Sequence, residues 1–317
     1  MRYVAGNRQF ASGSRPGTRR LTSGVDAVTL PPTLGIIGGS GLYEMPGLEQ
    51  VQQMDLDTPF GKPSAPIVTG ILEGLRVAFL ARHGTGHTLI PTEVPYRANI
   101  YALKSLGVQR VCSISACGSL REDFAPGDIV IPNQIFDHTT LRPRSFFGDG
   151  FVAHVSVADP LCADFSSRLE ASVRSTSAKI HRGATFITIE GPRFSTRAES
   201  NVYRSWGMSI IGMTTSPEAF LAREAGLCYA VMAHVTDYDV WHLSEQPVTV
   251  ELVIQTLRKN TSIAEQAVRD LARTWSADRS CDCARALEHA LITDPAKVPV
   301  ATLEKLGALL PKRPIQP

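Results

Sequence analysis

Long hydrophobic runs are missing from this chain. No apolar stretch reaches the ~18–20 residues that a membrane-spanning helix needs, and the apolar core of a secretory signal is also lacking. The expectation is a cytoplasmic protein that binds no membrane. Excess charge of either sign is missing too: 32 Lys and Arg stand against 30 Asp and Glu, a net charge of +2. Such a balance gives no general affinity for nucleic acid. Cysteine is sparse, six in 317 residues, too few for a disulfide scaffold. Cys112, Cys117, Cys162 and Cys228 lie in or beside apolar stretches and read as reduced core thiols. Cys281-Asp282-Cys283 is a close pair in a polar segment. A lone C-x-C offers too few ligands for zinc, so no metal is expected there. It reads as two incidental surface cysteines, or as a labile redox pair. No internal repeat is visible.

Apolar residues make up 43% of the chain, enough for a sizeable core in one α/β domain with appendages. Residues 1–32 carry Arg2, Arg8, Arg15, Arg19 and Arg20 against one acid, Asp26, with few large apolar residues, which predicts a disordered basic tail. From Leu34, short apolar runs alternate with helical segments. Strands are expected at Leu34–Ile37, Val77–Ala81, Val111–Ser115, Asp128–Ile131, Thr185–Ile189, Ser209–Gly212 and Leu227–His234. Helices are expected at Tyr96–Leu106, Leu161–Thr176, Arg197–Ser205, Pro217–Ala225 and Val248–Arg273. This alternation implies a twisted, mixed but mostly parallel sheet flanked by helices, in a domain spanning 33–275. Residues 276–317 read as a helical extension of it, with helices at Ala284–Leu291 and Val300–Leu310.

The candidate chemistry collects just past strand ends, where parallel α/β sheets hold ligands. Thr236-Asp237-Tyr238-Asp239 closes the apolar run Leu227–Ala233, and two carboxylates so near a buried strand are costly unless something pairs with them. A helix N-cap followed by a solvated turn acid is the alternative. Gly38-Gly39-Ser40-Gly41 lets backbone N–H groups approach an anion, or makes a tight strand-to-helix turn. Arg82-His83 follows a second strand, and arginine's planar fork of donors suits a tetrahedral oxyanion. Ser115-Ala116 and Thr214 end two more. Each alone is an ordinary capping or surface residue; together they make the donor set that a free phosphate needs. After Thr185–Ile189, Glu190 is fit to accept a sugar hydroxyl, and Phe194 can stack on a flat ring.

Seven segments extend this pattern: Gly35–Gly41, Thr58–Ser64, Leu80–Gly84, Ala116–Glu122, Pro126–Ile131, Glu190–Ser195 and Thr236–Asp239. Across residues 34–275 the chain resembles the trimeric purine nucleoside phosphorylase family, in its methylthioadenosine-cleaving branch. The resemblance implies a nucleoside phosphorylase fold and phosphate contacts at Ser40, Arg82, His83, Ser115, Ala116 (backbone) and Thr214. It also implies that Met213 packs under the ribose, Phe194 stacks on the base, Ser195 touches it, and Asp237 and Asp239 face the purine edge. His154 matches a histidine that reaches the 5′ pocket of a neighbouring subunit, and Val250 and Val253 match apolar residues lining the 5′ side. A homotrimer, or a pair of trimers, follows, with the aromatic pair Phe146-Phe147 buried between chains. Archaeal relatives carry a disulfide-forming pair at the Cys-x-Cys position.

The same resemblance implies a substrate. Relatives that cleave 6-oxopurine nucleosides carry Glu at the Ser195 position and Asn at the Asp237 position. An adenine ring has no N1–H and offers a donor at N6, which Asp237 accepts; protonated, Asp237 donates to N7 and is the catalytic acid. Apolar Val250 and Val253 suit a methylthio group. The expected reaction is phosphorolysis of 5′-methylthioadenosine, with phosphate as co-substrate and no cofactor. The alternative is a phosphorylase for 6-oxopurine nucleosides or methylthioinosine; a phosphate-independent nucleosidase and an NAD oxidoreductase fit the donor set and glycine spacing less well.

Overall fold

The structure is a computed structural model that describes residues 33–39, 45–242 and 249–310. The basic tail 1–32 and Ser40 lie outside the described residues, as does the side chain of Val253.

Eleven strands share one sheet. They are β1 (Leu34–Gly38), β2 (Glu49–Met54), β3 (Ile67–Leu72), β4 (Leu75–Ala81), β5 (Arg110–Ser119), β6 (Ile129–Ile131), β7 (Gln134–His138), β8 (Ile180–Arg182), β9 (Thr185–Ile189), β10 (Ile210–Gly212) and β11 (Cys228–Asp237). The helices are α1 (Tyr96–Ser105), α2 (Ala163–Arg174), α3 (Arg197–Ser205), α4 (Thr215–Glu224), α5 (Val250–Arg273) and α6 (Val300–Leu306). Parallel pairing joins β4 to β1, β1 to β5, β5 to β11, β6 to β8, β7 to β9 and β9 to β10. The pairings β2–β3, β3–β4, β5–β10 and β6–β11 are antiparallel. The sheet is thus mixed and mostly parallel, as the alternating pattern implies.

β11 is buried along its whole length because the sheet is covered on both faces. Tyr229, Val231, Ala233 and Val235 pack with residues of α1 and α4, whereas Cys228, Ala230 and Met232 pack with Phe165 and Leu169 of α2 and with Ala264 and Val268 of α5. A strand covered on both sides reads as an unbroken apolar run rather than an alternation, which is why it stands out in the sequence. Each such fully buried Val, Leu or Phe contributes roughly 1.5–3 kcal/mol relative to exposure. β11 runs in step with β5 from Cys228 opposite Arg110 to Val235 opposite Cys117; a bulge at Thr236 then sets Asp237 opposite Gly118.

Three expectations need correction. Ala284–Leu291 is not an α-helix: a short 3-10 turn at Asp282–Arg285 is followed by turns. Backbone groups that a helix would use are taken by a β-bridge instead, with His154 N–H donating to Ala290 O and Ile292 N–H to Val152 O. Phe146 needs no neighbouring chain to cover it. It is buried within its own chain against Phe60 at 5.1 Å, and Phe147 packs edge-on to Phe151. Finally, Cys281 and Cys283 are not incidental surface cysteines, since Cys283 is buried and Cys281 half-buried. The Cys112 and Cys117 thiols are core residues as expected.

Candidate active site

The carboxyl ends of the central parallel strands collect the predicted residues. Arg82 N–H donates to Gly38 O at 3.0 Å, placing the residues after β4 beside the turn after β1. The Arg82 side chain crosses to β5, donating to Ser113 Oγ and to Ile114 O. β10 runs against the end of β5, so that a Cβ on Gly212 would stand 3.4 Å from Ala116 O. Ser115–Ala116 and Met213–Thr214 therefore meet across that pairing. Thr214 stands just ahead of α4 with its side chain making no capping bond, and the backbone is still extended at Ser216 before the regular helix begins.

Arg82 differs from its expected role as a bidentate phosphate clamp. Its fork is already occupied, Nε and Nη2 donating to the two Glu218 oxygens at 2.8 and 2.9 Å. Of five N–H donors, one on Nη1 is left. Glu218 is fully buried and also accepts from Tyr229 Oη at 2.7 Å. Burial works against the Arg82 charge, but Glu218 overcomes it and holds the guanidinium protonated. Sequence reasoning missed Glu218, whose neighbours Ala219, Leu221 and Ala222 give only the signal of an apolar helix face.

His83 carries a fixed tautomer. Its Nδ1 lies 2.9 Å from Leu89 O, and a carbonyl only accepts, so Nδ1 bears the proton and Nε2 of the neutral ring presents a lone pair. Burial pushes its pKa down to about 4, with Arg82 adding to the effect. The ring stacks on His87.

Glu190 is not free for a sugar hydroxyl. It accepts from Thr92 Oγ1, from the N–H groups of Thr140 and Leu141, and from Arg142 Nε. Burial alone would raise its pKa, yet these donors win and hold it near 2. Arg142, a second residue that sequence reasoning passed over, is buried and also donates to Met213 O, Ser216 O, Glu190 O and Tyr96 Oη. It ties the loops after β9 and β10 to α1. An arginine beside Pro143 carries no local signal of that role.

At the end of β11 the carboxyls have no such partners. Among the described residues no lysine or arginine forms an ion pair with Asp237 or Asp239. Asp237 is 6% exposed, accepts from Thr236 Oγ1 at 2.6 Å and from Asp239 N–H at 2.8 Å, and burial pushes its pKa up to about 6. Asp239 is likewise raised by burial, and its Oδ2 is buried without a partner. Gly118 makes room for both, since a Cβ there would stand 2.9 Å from Asp237 Oδ1 and 3.3 Å from Asp239 Cβ. Ser195 Oγ is also buried and unpartnered, next to the exposed Phe194 ring. Met213 Sδ packs on Gly191.

Two predicted residues stand elsewhere. His154 lines a groove of about 420 Å³ with Arg144, Ser145, Phe220 and Glu224, apart from the strand-end cluster. Val250 is exposed at the start of α5.

A twisted α/β sheet that gathers hydroxyls, an arginine and a buried carboxyl at its strand ends defines a class, and the chain belongs to the phosphorylase superfamily, whose model matches residues 33–273. Within that class several relatives are S-methyl-5′-thioadenosine phosphorylases. It is 53% identical to an S-methyl-5′-thioadenosine phosphorylase of Geobacter sulfurreducens, over 87% of this chain and 97% of that one. It is 51% identical to one from Gloeobacter violaceus, over 89% of this chain and 96% of that one. Among solved structures, a methylthioadenosine phosphorylase from an Antarctic soil metagenomic library superposes with a TM-score of 0.85 at 49% identity, over 89% of this chain and 99% of that one. A Schistosoma mansoni methylthioadenosine phosphorylase in complex with adenine gives 0.76 at 36% identity, over 81% and 96%.

Proposed function

We propose that this chain is a pentosyltransferase that cleaves 5′-methylthioadenosine with phosphate, giving adenine and 5-methylthioribose 1-phosphate. The observation that carries the reading is Asp237, a buried carboxyl pushed up to about 6 at the end of β11, with no lysine or arginine paired to it among the described residues. In the reaction the C1′–N9 bond breaks and a C1′–O bond to phosphate forms. Negative charge gathers on the purine, and Asp237 donates its proton at N7 as N9 departs. The phosphate, attacking the opposite face, stabilises the sugar cation. Its donors are the Ser115 and Thr214 hydroxyls, the Ala116 backbone, the last Arg82 N–H and Ser40. The His83 Nε2 lone pair accepts the O–H of hydrogen phosphate, so the proton that adenine gains is matched by one that phosphate gives up. Phe194 stacks on the base; Ser195, which carries no charge, faces N1 without repelling its lone pair. Met213 lies under the ribose and Asp239 faces the purine edge; Val250, exposed at the start of α5, stands outside this set.

His154 stands away from these groups in its own chain and completes the 5′ pocket of a neighbour, so the active form is a homotrimer. The test is adenine release from methylthioadenosine, with and without phosphate, beside methylthioinosine and inosine. Strict phosphate dependence and preference for the 6-amino base are expected. Equal rates without phosphate would point to hydrolysis, and preference for the 6-oxo base to the other phosphorylase class. An active monomer in light scattering would remove His154 from the site.

A further inference from the structure

Four cysteines that look unrelated in the sequence meet in space. The sulfurs of Cys162, Cys228, Cys281 and Cys283 all lie within 4.8 Å of one another, and Cys228 and Cys281 are 3.3 Å apart. Cys162 is the N-cap of α2, accepting from Phe165 N–H, and Cys228 opens β11. The other two flank Asp282 at the 3-10 turn. Tetrahedral zinc with Zn–S bonds of ~2.3 Å sets its four sulfurs about 3.8 Å apart, a spacing this cluster meets with small shifts.

The surroundings match the charge of such a centre. A tetrathiolate zinc carries two net negative charges, and two guanidiniums stand against it. Arg223 Nη1 is 3.4 Å from Cys283 Sγ, and its Nη2 is anchored on Asp159 O. Arg279 donates to Gly226 O and stands beside the sulfurs of Cys228 and Cys281. Outer partners of this kind orient and tune metal ligands. Cys162, Cys228 and Cys283 are buried while Cys281 is half-buried, which leaves an entry path.

We propose that Cys162, Cys228, Cys281 and Cys283 form a structural site for one thiophilic divalent cation, zinc foremost. The expectation of no metal rested on counting only the Cys281–Cys283 pair; the fold supplies the other two ligands. Four protein ligands close the coordination sphere, so the ion takes no substrate. Cys228 is nine residues before Asp237 on one strand, roughly 30 Å away at ~3.3 Å per residue, and the ion stays clear of the reaction. Its effect is to fasten the segment around residue 282 to the start of the central strand.

The test uses the full chain, expressed with zinc and purified without chelator or nickel resin. Elemental analysis after dialysis should find one zinc per chain. Exchange for cobalt should give thiolate-to-metal charge transfer and tetrahedral d–d bands. Cys281→Ser with Cys283→Ser should abolish both and lower Tm, while Cys112→Ser, outside the cluster, keeps them. Should the double variant fail to fold, the wild-type zinc content and cobalt spectrum still decide. Absence of metal with two disulfides in a denatured thiol titration would overturn the proposal in favour of an oxidised cluster. Absence of metal with all six thiols free would overturn it outright.

Discussion

Four buried or half-buried carboxylates at the strand ends divide into two pairs. Glu218 and Glu190 are each gripped by a buried arginine and by several further donors; Glu190 is held near pKa 2. Asp237 and Asp239 have hydroxyl and backbone partners and, among the described residues, no cation, and Asp237 rises to about 6. The first pair spends its charge on holding loops in place. The second keeps a proton within reach of neutral pH, where an acid catalyst has to operate. Saturation of partners, not burial, separates the two pairs.

Breaking the saturated pair should have the largest effect. Arg82→Met leaves the Glu218 carboxyl without its cation at 0% exposure, and loss of one partner from such a pair costs about 3–5 kcal/mol. Urea unfolding of the variant, together with Arg82→Met/Glu218→Leu, separates this from lost phosphate affinity. The double variant should regain most of the stability but not the low phosphate KM. If Arg82→Met unfolds like wild type and only its phosphate KM rises, the arginine belongs to phosphate and not to Glu218.

Asp237→Asn tests the other pair. It should lower kcat on methylthioadenosine by ~10²–10⁴-fold with the fold intact. In the wild type, kcat/KM should fall as pH rises through about 6, since the reactive form is the protonated one. The sign for stability follows from the same shift. Asp237 has a higher pKa folded than unfolded, so folding takes up a proton and stability rises as pH falls from about 6 towards 3.8. In Asp237→Asn the slope should shrink to what Asp239 still contributes, and a pH–rate limb that survived the substitution would assign the proton to another group.

The smallest effect concerns a hydroxyl without a partner. Ser195→Ala removes a buried hydroxyl that has no hydrogen-bond partner among the described residues, so stability should be unchanged or rise. Loss of one neutral hydrogen bond to the base, about 0.5–1.5 kcal/mol, should raise the nucleoside KM between two- and about tenfold. An unchanged KM would take Ser195 off the base.

Much of this arrangement is legible in the chain because it sits where apolar runs stop. β1, β4, β5, β9 and β11 announce themselves by Leu, Ile and Val, and Arg82, Glu190 and Asp237 stand at strand ends, whereas Ser115 lies inside β5, which runs on to Ser119. Edge strands gave less away: β2 is Glu49-Gln50-Val51-Gln52-Gln53-Met54, mostly exposed, with no apolar face to mark it. What joins distant segments was hidden. Glu218 lies 136 residues from Arg82, and Arg142 acts 48 residues from Glu190. The four thiols were read singly for the same reason, because spacing along the chain says nothing about convergence across the sheet.

The bulge at Thr236 makes β11 a kind of vernier. One residue that faces no partner on β5 advances the strand by a single step, so Asp237 reaches the level of Gly118, where the missing Cβ leaves it room. An unslipped ladder would bring Asp237 level with Ser119 instead. Thr236 spans the step, its hydroxyl reaching Cys117 O and Asp237 Oδ2. Point substitutions along the buried stretch from Tyr229 to Val235 alter packing by degrees. Loss or gain of one residue anywhere between Cys228 and Asp237 would move the acid out of register entirely, so the length of this segment is held more tightly than its composition.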